Sequence, residues 1–247
     1  MSEPEKSEES VERIEYYRHE ADKYDEKRLS CECNRIYDRI SKEIVYSYVQ
    51  NCKYVLDAGT GTGRFAIYLA SKGINVVALD TSKEMLEIAK QRAIQEGCET
   101  RVEFILGDAE NLPFEDAIFD GICSITVLIH FSSKNLAISE FSRVLKPDGN
   151  LILDVPCKAL SKVYGMFLSL IGKTTFKDYH YGMKEARKLL QANSVEIVNR
   201  RRFGKIPRLI THLFVCKLNL WFFSKMIEKL ERCDFGASSF IKGVKVK

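Results

Sequence analysis

Proline is scarce, five in 247 residues, and tryptophan occurs once, at Trp221. So few prolines, with no repeat and no low-complexity tract, exclude a proline-rich linker or fibrous architecture. No uninterrupted apolar run reaches the ~20 residues of a membrane-spanning helix. The most apolar stretch, 206–230, is broken by His212, Lys217 and Lys225. The opening residues "MSEPEKSEESVE" are acidic and carry no apolar core, so they lack the pattern of a secretory signal. There are eight cysteines, but no CxxC and no Cys/His cluster, and the nearest pair is Cys31 and Cys33. That arrangement argues against a metal site and reads as reduced, mostly buried thiols in a cytoplasmic protein.

What is present is an ordinary globular composition with a lopsided charge. Residues 1–155 hold 19 Lys+Arg against 28 Asp+Glu, and residues 156–247 hold 19 against 6. A basic C-terminal part is either a solvated surface or a face turned toward something anionic: a small acid, a lipid headgroup or nucleic acid.

Apolar residues at Val11, Ile14, Tyr17, Ala21 and Tyr24 step by three or four, which predicts an amphipathic helix over 10–28 behind an acidic, disordered tail of residues 1–12. Ile36, Ile40, Ile44, Val45 and Tyr48 outline a second helix. Short apolar runs then alternate with helical stretches. Strands are predicted at 54–56, 75–79, 102–106, 121–125 and 151–155, with helices starting near Arg64, Ser82 and Lys134 and a loop over 111–117. "LKPDGNLILDV" reads as a helix end, a tight Pro-Asp-Gly turn and a return strand. A helix at 182–192 and strands at 194–198 and 236–246 complete the pattern. This alternation predicts a doubly wound α/β fold, mostly parallel, with helices on both faces of the sheet.

In such a sheet, ligands lie outside the carboxyl ends of the strands where the strand order reverses. "VLDAGTGTGR" puts Gly59, Gly61 and Gly63 at the first strand-to-helix turn, where chain and ligand would pass closely. The GxGxxG dinucleotide fingerprint would need glycine where Arg64 stands, and no GK[ST] follows, so neither NAD nor a Walker phosphate site is indicated. The second strand ends in Asp80, about twenty residues on, where a carboxylate suits both hydroxyls of a ribose. Capping of the next helix is the competing role for Asp80, although Thr81 or Ser82 can fill it. The third strand leads into "GDAENLPF", where Asp108 and the backbone N–H of Ala109 match an adenine edge. Met85 stands beside that face. Acids at neighbouring strand tips, with no basic cluster among those tips, describe an adenosine site without pyrophosphate handling.

In order and spacing, "VLDAGTGTGRFAIYLA", "VVALDTSKEMLEIAK", "GDAENLPFEDAIFDGICSITVLIH" and "EFSRVLKPDGNLILDV" resemble the class I S-adenosylmethionine-dependent methyltransferases, in particular their type 11-like branch. The resemblance covers roughly residues 50–155. It implies the Rossmann-like methyltransferase fold with seven strands, an N-terminal helical lid over 13–50, a cofactor-binding core over 51–155, and a C-terminal part of the same domain over 156–247 whose helical insertions select substrate. It implies S-adenosyl-L-methionine as cofactor, with Asp57, Ala58, Gly59, Thr60, Gly61 and Gly63 around the methionyl part and ribose. Asp80, Thr81 and Met85 would hold the adenosine, Asp108 and Ala109 the adenine, and Ser124 and Ile125 the methionyl side. The family often has a His-His pair after the fourth strand. Here the pair is Ile129–His130, leaving His130 as the candidate base.

For methyl transfer, the protein's task is to align a nucleophile behind the methyl group and exclude water. Besides His130, the candidates near an acceptor are Tyr17 and Tyr24 on the lid, His180 and Tyr181 in "YHYG", and Trp221. Residues 206–230 read as one or two helices over the active-site mouth, with peripheral membrane contact as the alternative. The acceptor is expected to be a small molecule, apolar or anionic. A tRNA-modifying enzyme and a non-catalytic cofactor-binding module are the other readings. "NRRRFGK" at 199–205 has no aromatic platform and is a weak signal for RNA.

Overall fold

The computed structural model describes residues 15, 21, 23–26, 28–30, 32–156, 182–203 and 238–246. The expected helix over 10–28 is seen in part: Glu15, Ala21, Lys23–Glu26 and Arg28 are helical. Helix α1 follows at Glu32–Val49, then β1 at Tyr54–Ala58, α2 at Arg64–Ser71, β2 at Asn75–Asp80 and α3 at Lys83–Gln95. Next come β3 at Val102–Leu106, β4 at Phe119–Ser124, α4 at Lys134–Val144, β5 at Leu145–Pro156, α5 at Met183–Ala192, β6 at Val195–Phe203 and β7 at Ser238–Lys245. Two helix starts are set by serine caps. The Ser82 hydroxyl accepts from the Met85 N–H at 3.2 Å, and that of Ser133 accepts from the Leu136 N–H at 3.3 Å.

The seven strands form one sheet in the order β3-β2-β1-β4-β5-β7-β6. Strands β1 to β5 pair in parallel, and β7 runs antiparallel to both β5 and β6. One face is covered by α1, α2 and α3, through Ile40, Ile44, Phe65, Leu69 and Ala93. The other is covered by α4 and α5, through Ile138, Phe141, Ala186 and Leu190. The chain winds outward from β1 through β2 to β3, then returns to the other side of β1 with β4. That reversal leaves a crevice at the carboxyl ends of β1 and β4, as the doubly wound pattern requires.

Several boundaries differ from the sequence reading. The Pro-Asp-Gly turn does not precede the return strand expected at 151–155, because that strand already begins at Leu145. Leu145 already pairs with Phe119 while Asn150 pairs with Gly121, so the turn is absorbed into β5 as a bulge with Asp148 at φ 61°. Strand β6 runs on to Phe203, well past the expected 198, because β7 pairs with it through Ser238. Among the described residues no helix is long and apolar enough to cross a membrane. Cys52, Cys98 and Cys123 are free and buried.

Candidate active site

The turn after β1 is built from behind. Asp57 is 1% exposed and faces away from the crevice. It accepts from the Thr60 hydroxyl at 2.7 Å, the Ala66 N–H at 3.1 Å and the Cys123 thiol at 3.4 Å. Burial pushes its pKa up, against the pull of these donors. Asp57 thus fastens the turn to the start of α2 and to β4. Ala58, Gly63 and Ser124, also expected at the ligand, likewise lie off the cavity wall, with Ala58 and Ser124 fully buried.

Two glycines of the turn are needed for different reasons. Gly59 has φ 78°, and a Cβ there would stand 2.6 Å from both γ-carbons of Val127, so the turn and the tip of β4 are pressed together. Gly61 has φ 56° and nothing within 4 Å of a built Cβ, so the crest of the turn opens directly onto the cavity. Backbone without a side chain, facing open space, is a cradle into which a ligand can come close.

Around that crest lies a cavity of about 160 Å³. Of the residues expected in the site, Gly59, Thr60, Gly61, Asp80, Thr81, Met85, Asp108, Ala109, Ile125, His130 and Tyr24 line it. Tyr17, His180, Tyr181 and Trp221 lie outside the described residues, as does the apolar stretch 206–230.

Asp80 sits under the crest. One carboxylate oxygen accepts from the Gly61 N–H at 2.7 Å and the other from the Ser82 N–H at 2.9 Å. Burial raises its pKa, while the N–H groups of Ser82, Gly61 and Thr81 hold it back. Each carboxylate oxygen carries two lone pairs, so these bonds leave acceptor capacity toward the cavity. Asp108 begins a local turn, with one oxygen accepting from the Glu110 N–H at 3.0 Å. Glu110 in turn receives the N–H groups of Ser132, at 3.2 Å, and Ser133, tying the loop after β3 to the start of α4.

Sequence reasoning missed the cations. No basic residue stands among the strand tips in sequence, yet Arg28 and Arg64 reach the cavity from helical segments. The Arg64 guanidinium lies 4.1 Å from the Phe65 ring centroid and 2.8 Å from Asp38, which also holds Lys42 at 2.8 Å. Burial pushes Asp38 up, but the two cations outweigh it and hold its pKa below the usual carboxylate range. Arg28 donates to the Tyr24 hydroxyl at 2.9 Å. An ion pair between Asp25 and Arg92 fixes this segment to α3.

At the tip of β4, Thr126 takes φ 64°, a left-handed conformation costly for a β-branched residue. The Asp154 carboxylate, 6% exposed, holds its N–H at 2.6 Å. The hydroxyl of Thr126 donates to the Ile125 carbonyl at 2.5 Å. The strain lies on the wall between Ile125 and His130.

The comparisons agree with this geometry. Residues 56–153 match the family model described as "Methyltransferase domain". The chain is 35% identical over 162 residues to the ubiquinone/menaquinone biosynthesis C-methyltransferase UbiE of Pseudomonas fluorescens (strain SBW25), covering 61% of this chain and 62% of that protein. Geranyl diphosphate C-methyltransferase from Streptomyces coelicolor A3(2), solved with S-adenosyl-L-homocysteine, shares the fold at TM-score 0.70 and 14% identity, over 97% of this chain and 99% of that one. The [4+2]-cyclase SpnF shares it at TM-score 0.59 and 21% identity, over 85% and 81%. The chain spans between 36% and 62% of the length of the curated relatives it matches. Fold, glycine turn and family match converge on residues 56–153, which match a methyltransferase domain and resemble the core of the class I S-adenosylmethionine-dependent methyltransferases.

Proposed function

We propose that this protein transfers a methyl group from S-adenosylmethionine to a small-molecule acceptor, apolar or anionic. One observation carries the reading: Asp80 and Asp108, at neighbouring strand tips, line the same cavity as the open crest at Gly61. Carboxylates there accept hydrogen bonds from ribose and adenine donors, and the bare crest lets the ligand lie against backbone. The donor set fits an adenosyl group better than a dinucleotide, because Arg64 occupies the fingerprint's last glycine position.

When bound, S-adenosylmethionine supplies a methyl group on an electrophilic sulfonium. The chain's own residues then have three tasks. Gly59 to Gly61, Asp80 and Asp108 fix the adenosyl end. Ile125, Thr126 and Val127 shape the wall behind which the acceptor must line up. Tyr24 and Arg28, on the segment before α1, cover the cavity and keep water from it. His130 lines the same cavity and is the group placed to take a proton from an acceptor that keeps one during the approach.

The fold by itself does not choose this chemistry, since a cyclase shares it. The curated relative named as a quinone-biosynthesis C-methyltransferase supports the transferase reading over a binding module that transfers nothing. Calorimetry with S-adenosylhomocysteine, S-adenosylmethionine and NAD tests the site. Both sulfur compounds are expected to bind and NAD is not. NAD binding, with no response to either sulfur compound, overturns the reading. A panel of quinols, phenols and isoprenoid diphosphates, scored by S-adenosylhomocysteine release, then sorts the acceptor class.

A further inference from the structure

We propose that the outer face of α5 and the strand β6 beside it form a basic docking surface for a bilayer rich in anionic lipid, next to the rim of the cavity. The surface goes beyond the methyl-transfer reading and stands whatever the cavity binds. Residues 182–203 and 238–246 hold eight Lys and Arg against two Glu, whereas residues 1–155 hold 19 Lys+Arg against 28 Asp+Glu. The excess has a shape. Lys184, Arg187 and Lys188 share one face of α5 and are all exposed, while Ala186 and Leu190 on the other face are buried. Arg200 is exposed too. It pairs with Ile241, which belongs to the core beneath α4 and α5, so Arg200 lies on the same side of the sheet as α5. Among the described residues no ion pair joins Lys184, Arg187, Lys188 or Arg200 to a carboxylate, and Arg200 donates to the neutral Ser239 hydroxyl at 3.1 Å.

Topology puts this face beside the cavity. Strand β6 is parallel to β5, since both run antiparallel to β7, and Ser238 of β7 pairs with Phe203 of β6 on one side and Pro156 of β5 on the other. The carboxyl end of β6 therefore shares the edge of the sheet on which the cavity opens. Helix α5 runs back along β6, with Asn193 and Ser194 between them, so Lys184 lies toward that same edge. The chain leaves the edge after Phe203 and returns at Ser238, which tethers the most apolar run of the sequence, 206–230, there at both ends. Lipid is the occupant this combination favours. Clustered Lys and Arg draw a protein toward anionic headgroups, and attachment strengthens when apolar side chains accompany them. RNA fits less well, because single strands stack on aromatic platforms and Phe240, the aromatic among the described side chains of this part, is fully buried. A second copy adding a strand to β6 also fits less well. The register shift between Ile197 and Asn199, and the arginines that follow it, interrupt that free edge. Docking by this face holds the rim of the cavity close to the bilayer, where an apolar acceptor dissolves.

Co-sedimentation of the full chain with vesicles is the test, using phosphatidylcholine alone and phosphatidylcholine mixed with phosphatidylglycerol. The parent is expected to pellet with the mixed vesicles, to stay in solution with phosphatidylcholine, and to be released as ionic strength rises. The triple variant Lys184→Gln, Arg187→Gln, Lys188→Gln should partition about tenfold or more weakly. A control triple, Lys53→Gln, Lys72→Gln, Lys90→Gln, removes the same charge from exposed positions in the acidic part and should stay within about twofold of the parent. Thermal melts and S-adenosylhomocysteine calorimetry are expected to match across all three proteins, which separates loss of the surface from loss of the fold or of the cavity's ligand. A parent that ignores anionic vesicles, or that pellets equally with both compositions, overturns the proposal. So does an α5 variant that partitions like the control. Capture of single-stranded RNA that the α5 variant loses, without vesicle binding, overturns the lipid assignment in favour of nucleic acid.

Discussion

Asp80 holds the protein's own backbone with the atoms expected to hold the ribose. Its two oxygens accept from the Gly61 and Ser82 N–H groups at 2.7 and 2.9 Å. In Asp80→Asn one acceptor oxygen remains, and an NH2 group faces one of those two N–H donors. Losing a charge-assisted bond of this kind costs about 1.5–3 kcal/mol. For a chain of this size each kcal/mol lowers Tm by about 2–4 °C, so the apo variant should melt about 3–12 °C lower. Replacement at this tip is therefore not silent for the fold, contrary to what a strand-end acid suggests in sequence. Ribose hydroxyls deprived of their ionised acceptor lose a comparable amount, which raises the S-adenosylhomocysteine Kd by roughly 10- to 150-fold.

The two roles separate by ligand and by pH. With 2′-deoxyadenosylhomocysteine, parent and Asp80→Asn should differ less than with the natural ligand, since one of the two hydroxyls that Asp80 receives is gone. Burial raises the pKa of Asp80, so the folded apo protein takes up that proton more readily than the unfolded chain. As pH falls from the raised value toward the ordinary carboxylate range, Asp80 thus favours the folded state, while ligand affinity drops because the ionised acceptor is lost. Asp80→Asn should show neither dependence. Calorimetry across pH, beside thermal melts, reads both. A parent-like Kd in Asp80→Asn, with natural and deoxy ligands alike, refutes the ribose assignment.

Asp38→Asn leaves Arg64, 10% exposed, without its carboxylate and should cost about 3–5 kcal/mol by chemical denaturation. Because Arg64 and Lys42 lower the folded pKa of Asp38, the parent's advantage is complete above the ordinary carboxylate pKa of about 4 and fades as pH falls through the lowered value. An advantage that grows on acidification would contradict the ion-pair account. Gly59→Ala combines a left-handed alanine, about 1–2 kcal/mol, with a Cβ forced against Val127, about 1–3 kcal/mol more. Val127→Ala in the same chain should recover the packing part but not the backbone part; a double variant no more stable than Gly59→Ala rules out the contact.

The parts of the site legible in the sequence are those whose causes are local. A glycine turn after a buried strand, an acid where the strand ends and a serine before a helix each follow from a few neighbouring residues. Hence Gly61, Asp80, Asp108 and Ala109 fall on the cavity as expected. Asp57 shows the limit of that logic: position in the chain says only that it is near the turn. Whether it faces ligand or core depends on β4 supplying Cys123 and on α2 supplying the Ala66 N–H, two elements the strand itself does not specify. Strand ends were harder still. Strand β6 is extended by pairing with β7, some forty residues away, and no local pattern in "NRRRF" announces it.

The cations show why the acceptor end of the site resists sequence reading most. Arg28, Arg64 and Lys42 come from three segments, each an unremarkable basic position on an amphipathic helix. Their meaning arises when α1 packs beside α2 and brings Asp38 between Arg64 and Lys42, leaving Arg28 facing the cavity with a tyrosine. Charge matching is a property of the assembled cluster, not of any one segment of the chain. Arg64 has the fold's carboxylate and therefore holds α1 to α2. Arg28 lines the cavity and donates to the Tyr24 hydroxyl, a contact made within its own segment. The adenosyl end, by contrast, is made of backbone and strand tips. It is specified by short local runs of sequence, whereas the opposite end depends on which side chains the packed helices bring together.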